Sequence, residues 1–399
     1  MNRRQPVFHA AFGEGETVDA AVRSTLAQLY SQHGSDLPRH ALGIVYATPP
    51  VAADLGNVAN MLAESTGVRR WIGTVGLGVI GHAVHIEQAR EVFGRPALSV
   101  LVADLGPDGA ALLPALNDAD VPLPASLASW RMQAAPTVAL LHADPRTGEL
   151  SEIIDRLAGP EGLFLVGGLS SSDAGPGGEA TAMPQLTGDG LSGRRAVEGA
   201  VTGCLFHGDL RIATGLSQGC IPIGPIRTAT RAERNLIAEI DGRPAFEVLV
   251  EDMGEVFAHD LRRALDRVHI GLPVLGADTS DYLVRNLVGV DPASGVIAAG
   301  SLIDPGDRLL FCRRDGAAAE ADLRRMARGL KGRLGGAAPA GGIYVSCVAR
   351  GRHMFGEDGR ELAILREELG DFPLAGFFAN GEISRDRLYG YTGVLTVFA

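Results

Sequence analysis

Short apolar runs alternate along this chain with stretches whose apolar positions recur every three to four residues. Three segments repeat the alternation in one order. Strand-like runs at 41–50 (ALGIVYATPP), 136–145 (PTVALLHADP) and 341–351 (GGIYVSCVARG) each lead into a helical period, at 54–67, 149–159 and 359–370. In the first of these Leu55, Val58, Ala59 and Leu62 share one helix face. A second apolar run that breaks at a glycine follows each helix, at 68–81, 162–175 and 372–384. A further strand closes each segment, at 97–105, 196–208 and 391–398. Strand–helix–strand implies parallel pairing through a right-handed crossover, and the closing strand can return as an antiparallel neighbour. The predicted fold class is therefore mixed α/β: a layered helix–sheet sandwich of repeated β-α-β-β units with mixed sheets. The repeat length varies, which excludes a solenoid.

The material between the second and third segments has another pattern. Pro244 suits the first turn of a helix over 244–254. Residues 255–269 place Phe257, Leu261, Leu265 and Val268 on one face of a second helix. Residues 281–314 alternate strands with Asp-Pro turns, as a β-meander does. A further helix over 319–334 turns Leu323, Met326, Leu330 and Leu334 inward. The Pro/Gly-rich GCIPIGP at 219–225 marks a boundary, and the expected domains are 1–230 and 231–399, closely joined.

With 399 residues, 46% hydrophobic and 21% charged, the composition is that of a folded protein of two domains. The net charge of −11 argues against a nucleic-acid or anionic-membrane surface. No apolar run is long enough for a signal peptide or a bilayer span, so a cytoplasmic location is expected. The four cysteines are widely spaced and form no zinc or disulfide pattern.

The loops after the second strands hold the candidate chemistry. Ser170, Ser171, Ser172 and Asp173 can hydrogen-bond a polar ligand, and Phe377 and Phe378 can wall it from water. The same loops also suit ordinary turns, where Asn380 tolerates left-handed backbone. Arg350 suits bidentate pairing with a carboxylate, either Glu382 or a ligand's. Cys347 lies near Arg350 and Arg352, which favours thiolate, although strand alternation equally suits a buried thiol. Gln218 and Cys220 line either a site or a domain hinge. The G-x-G-x-x-G of Gly76, Gly78 and Gly81 lacks a dinucleotide-domain continuation. His82 and His85, with Glu87 nearby, read as a solvated helix face or two-thirds of a metal site; His353-Met354 is a weak haem-ligand pattern. No residue is assigned to catalysis or to a metal, and no cofactor is identified.

Together LFLVGGLSSSD, SQGCIPIG, IDGRPAFEVL, YVSCVARGRHMFG and FPLAGFFANGEI followed by YTGVLTVF resemble the FIST family, in the family's order and over most of the chain from about residue 40. The resemblance implies paired N- and C-terminal FIST domains and a signal-sensing module for small ligands such as amino acids. Some relatives carry an F-box or bind haem; this chain is expected to lack the F-box and any output domain, and to act alone or through a separate signalling protein. The expected site lies between the glycine loops of the two halves. Ser170–Asp173, Asn380 and Glu382 orient polar groups there, and Arg350 meets an acidic one. A cysteine-dependent enzyme using Cys347 or Cys220, a haem gas sensor and a protein-interaction scaffold stand as alternatives.

Overall fold

The computed structural model of the chain describes residues 5–33, 37–82, 90–159, 162–173, 181–188, 195–254, 267–274 and 282–399. The chain forms two compact units: Met1–Ser217 with Glu320–Leu388 and Thr392–Ala399, and Gln218–Ala319 with Tyr389–Tyr391.

The first unit contains the three repeats. Leu42–Ala47 and Arg70–Val75 pair in parallel across the helix Leu55–Thr66, and Ala97–Asp104 returns antiparallel to the former. Val138–Ala143, Leu150–Ala158, Phe164–Leu169 and Val201–Phe206 repeat that arrangement. Gly341–Cys347, Arg360–Leu369, Leu374–Ala379 and Thr392–Phe398 repeat it again. The helices form where the periodicity places them: Leu55, Val58, Ala59 and Leu62 are all buried, and Gly67 closes that helix in the left-handed conformation. The glycine inside each second strand does not end it. Gly73, Gly167 and Gly376 stand opposite Val45, Leu141 and Tyr344, and a Cβ on each would overlap that residue's carbonyl oxygen.

Each repeat is longer than its periodicity shows. A strand and a helix precede it: Val7–Glu14 and Val18–His33, Ala110–Leu116 and Ala125–Ala134, and Ile212–Gln218 and Gly316–Arg333. In the third repeat the second unit is inserted between that strand and helix. The chain thus leaves the first unit after Ser217 and rejoins it at Glu320, and the expected division at 230 passes through a strand of the insertion, Arg227–Glu233.

After its second strand each repeat gives a strand to another repeat's sheet. Gly78–His82 pairs antiparallel with Leu374–Ala379, Gln185–Thr187 with Arg70–Val75, and Glu382–Arg385 with Phe164–Leu169. The result is three six-stranded sheets of equivalent strand order, interlocked in a cycle. Their inner faces share one apolar core, which includes Ile44, Ile72, Leu140, Val166, Ile343 and Phe377. The helices cover the outer faces, each over its own core. Two-sided burial explains why the central strands read as continuous apolar runs instead of alternating ones.

In the second unit Arg308–Arg314 pairs with both Arg227–Glu233 and Val268–Pro273, closing a barrel that also contains Leu236–Ile240, Val296–Ala299 and Tyr282–Asp291. The predicted meander supplies three of its strands. The predicted helix is Ala245–Met253, whose Val248 and Leu249 enter the core with Ile237, Ile270, Ile297 and Phe311. Closure leaves no open edge along these strands. The helix expected over 255–269 falls on residues outside those described as far as 266; Val268 begins a strand instead.

Candidate functional site

Equivalent positions of the three repeats form three rows facing the shared core. The first row runs Ser99, Tyr46, Thr74, Gln185 across its sheet, and the second runs Thr202, His142, Gly168, Glu382. In the third row the same positions are Val394, Val345, Phe377 and Val79. Two polar rows therefore meet one apolar row inside the protein. The Tyr46 hydroxyl lies 3.1 Å from His142 Nε2. The Tyr46 ring stacks on Phe377 at 4.7 Å between centroids, and His142 meets Phe377 edge-on at 6.2 Å.

Hydrogen bonds tie the polar rows to the ends of the second strands. Ser170 Oγ is 2.7 Å from Thr74 Oγ1, accepts from Gln185 Nε2 at 2.7 Å and donates to the Ala143 carbonyl at 3.2 Å. Ser171 belongs to all three repeats at once. Its N–H donates to Val75 O, its hydroxyl donates to Phe378 O, and that hydroxyl accepts from Leu77 N–H at 2.7 Å. Asn380 N–H donates to Leu169 O at 3.1 Å. The loops of the N- and C-terminal parts, expected to face one another, are thus bonded directly.

Four buried polar atoms of this neighbourhood have no hydrogen-bond partner among the described residues: His142 Nδ1, Ser172 Oγ, Gln185 Oε1 and Glu382 Oε1. Glu382 is completely buried. Its Oε2 accepts from Thr392 N–H at 3.1 Å and Thr392 Oγ1 at 2.7 Å. Burial pushes its carboxyl up to about 8, against the pull of Thr392, Arg350 and the nearby Cys347 thiol. Burial also drives His142 down to about 3, so its imidazole is neutral. The two shifts act oppositely on stability. Between about pH 3 and 6.5 the unfolded chain takes a proton that buried His142 refuses, so His142 favours folding as pH rises. Between about 4.5 and 8 folded Glu382 holds a proton that the unfolded chain releases, so its contribution is lost as pH rises. Above pH 6.5 only the second operates. Urea titrations from pH 6.5 to 8 are expected to show wild type losing stability relative to Glu382→Gln, by up to roughly 1.4 kcal/mol per pH unit. Parallel curves would refute it.

The structure separates the other expected site residues. Phe377 and Phe378 point to opposite faces of one strand. Phe378 packs on Phe93 at 4.8 Å in the helix layer, so the two do not form a single wall. Arg350 pairs with Glu361 and not with Glu382: its Nε donates to Glu361 Oε2 at 3.1 Å, and its Nη1 donates to Ser217 O at 3.3 Å. Burial opposes the Arg350 charge, but the Glu361 carboxylate holds its pKa above the ordinary arginine value. Tyr344, Ser346 and the Gly351 N–H also donate to Glu361. Cys347 is buried on the inner face beside Ala379. Asp173 is exposed, and its carbonyl accepts from Thr181 at 2.6 Å. Gln218 and Cys220 belong to the barrel unit, where Gln218 Nε2 donates to Tyr282 O at 3.3 Å and Cys220 O accepts from the Tyr282 hydroxyl at 2.7 Å. His353 is exposed, whereas His85 and Glu87 lie outside the described residues.

Sequence reasoning passed over Tyr46, Thr74, His142, Gln185 and Glu361. The one available signal was a polar side chain inside an apolar run, as in VALLHA and LGIVYA. Among the described residues no cluster of His, Cys, Asp and Glu could hold a metal ion, and no helix is long and apolar enough to cross a membrane. All four cysteines are buried, and burial raises Cys204 to about 12.

Comparison with known proteins finds curated relatives and a family. An uncharacterized protein of Mycobacterium tuberculosis H37Rv is 34% identical over 242 residues, covering 52% of this chain and 62% of its own. An uncharacterized protein of Mycobacterium bovis is 36% identical over 191 residues, covering 46% of this chain and 49% of its own. The chain spans about half to three-fifths of these curated relatives. The FIST N domain model matches residues 41–243 and the FIST C domain model matches residues 245–385. By that match, which covers most of the chain, the chain belongs to the FIST family.

Proposed function

We propose that the chain is a cytoplasmic sensing module that binds a small polar metabolite, such as an amino acid, in the polar layer between Tyr46 and Glu382, and passes the signal to a separate protein. FIST domains are associated with signal-transduction sensing. The observation that carries the site is the occurrence, at His142, Ser172, Gln185 and Glu382, of buried polar atoms with no hydrogen-bond partner among the described residues. Buried polar groups are ordinarily paired, and leaving one unpaired costs about 1–3 kcal/mol, so four together point to a ligand that pairs them. An ammonium donates to Gln185 Oε1 and Glu382 Oε1. With the ammonium bound, Glu382 gains by ionising. The neutral His142 ring and the Ser172 hydroxyl serve the polar remainder, and Phe377 excludes water. Arg350, committed to Glu361, takes no part.

Ser171, bonded to the first and third repeats, is the latch whose release would open the layer. A thermal-shift screen of amino acids and small metabolites tests the reading. A ligand at a hundred times its Kd is expected to stabilise the protein by about 2.7 kcal/mol. Glu382→Gln with Gln185→Leu is expected to abolish that gain. Failure of every compound, or undiminished binding by the double variant, would sink the proposal.

A further inference from the structure

The return strands carry the chain away from the polar layer, so the joints between repeats gather at the other end of the first unit. The stretch after the first return strand (104–109), the stretch after the second (207–211) and Ala399 after the third enclose a cavity there of about 530 Å³, together with residues that lead into the first repeat. Pockets for small molecules run from about 300 to 1,000 Å³. The lining combines ionisable residues with the apolar side chains of Pro6, Pro38, Leu105 and Leu210.

The charge is one-sided. Among the described lining residues Asp104, Asp108 and Asp209 stand against one cationic side chain, Arg211, with His40 and His207 completing the ionisable lining. Asp104 Oδ1 takes His40 Nε2 at 3.0 Å and Gly106 N–H at 3.1 Å, which fixes the carboxylate in place. The backbone N–H of Asp209 donates to His207 Nδ1 at 3.1 Å, so that nitrogen serves as an acceptor. Three carboxylates against one guanidinium leave an acidic rim, and the chain's net charge of −11 adds a field of the same sign.

We propose that this cavity is a second binding site, for a small organic cation: a primary amine on a short apolar body. The carboxylates of Asp104 and Asp108 receive the ammonium, and the proline and leucine side chains receive the hydrocarbon. The proposal uses no residue of the Tyr46–Glu382 layer, so the two sites succeed or fail separately.

Isothermal titration of the full chain with 1-pentylamine tests it, with 1-pentanol as the uncharged comparison. Saturable binding of pentylamine is expected, at least tenfold weaker in Asp104→Asn with Asp108→Asn and unchanged in Glu382→Gln. Pentanol is expected to bind at least tenfold more weakly than pentylamine. Should the aspartate variant fail to fold by circular dichroism, Leu210→Trp, which fills part of the cavity, is expected to weaken binding as much. Absence of saturable pentylamine binding overturns the proposal. So does equal binding of pentanol, or an affinity left intact by whichever of these two cavity variants folds.

Discussion

Replacing Gly376 by alanine is expected to destabilise the protein by at least about 4 kcal/mol, enough to prevent folding in a protein of ordinary stability. Gly376 lies within the strand Leu374–Ala379 opposite Tyr344, and the direction a Cβ would take runs into the Tyr344 carbonyl oxygen. That oxygen belongs to the neighbouring parallel strand, so relief requires the ladder itself to part. On the inner side Gly376 N–H also donates to Ser99 Oγ at 3.2 Å, so the strand cannot simply retreat. Gly73 over Val45 and Gly167 over Leu141 have the same geometry, and their alanine variants are expected to fail alike. Gly329 is the control. It lies inside the helix Gly316–Arg333 with open space where a Cβ would stand, and Gly329→Ala is expected to stabilise by about 0.5–1 kcal/mol. Circular dichroism and urea denaturation check both. A Gly376→Ala protein within about 1 kcal/mol of wild type would show that the strands do not approach as described.

Glu361→Ala is expected to cost about 3–5 kcal/mol, because it strands a buried cation. Arg350 is fully buried, and Glu361 is its carboxylate partner among the described ion pairs. The same carboxylate also accepts from Tyr344, Ser346 and Gly351, so truncation leaves four donors short of an acceptor. Glu361→Gln keeps an acceptor but loses the charge, and is expected to fall between the two. The pair Arg350→Met with Glu361→Leu is expected to recover more than half of the loss, since neither charge then needs solvation. Equilibrium urea denaturation measures all three. A Glu361→Ala loss below about 1 kcal/mol would mean that solvent reaches Arg350. The variant also separates structural from ligand-binding roles: with Arg350 held by Glu361, Arg350 variants are expected to change stability rather than ligand preference.

The repeat was legible because its signals are local. A buried strand must be apolar, a helix docked on a sheet must be apolar on one face, and a glycine is needed where a carbonyl comes close; each leaves its mark at a fixed place in the sequence. The leading strand and helix of the first two repeats escaped because their marks are weaker. Val18–His33 mixes polar residues into its buried face, and Ala125–Ala134 buries only Leu127 and Ala134. In the third repeat the helix was legible over 319–334, but the insertion separates it from Ile212–Gln218 and so hid that the two form the leading pair.

The candidate site was half legible for a related reason. Ser170, Ser171, Asn380 and Glu382 stood out because polar residues clustered at strand ends, and the structure brings those strand ends together. His142 and Tyr46 looked like interruptions of core strands, since only pairing across sheets shows that they meet. Arg350 was expected to pair with Glu382 or a ligand's carboxylate; it pairs with Glu361 instead, because the docking of the helix Arg360–Leu369 brings that carboxylate to it.

By itself, then, the sequence determined the family, the mixed α/β class, the three strand–helix–strand units and the loops where they end, because hydrophobic period and steric need are written residue by residue. Only the tertiary structure decided that Gly78–His82, Gln185–Thr187 and Glu382–Arg385 each leave their own repeat for another's sheet. Backbone hydrogen bonds are the same for every residue, so a strand's choice of sheet is made by the packing of the whole unit. That choice sets Glu382 opposite Gly168, one strand beyond His142, and Gln185 beside Thr74, and with it the polar layer.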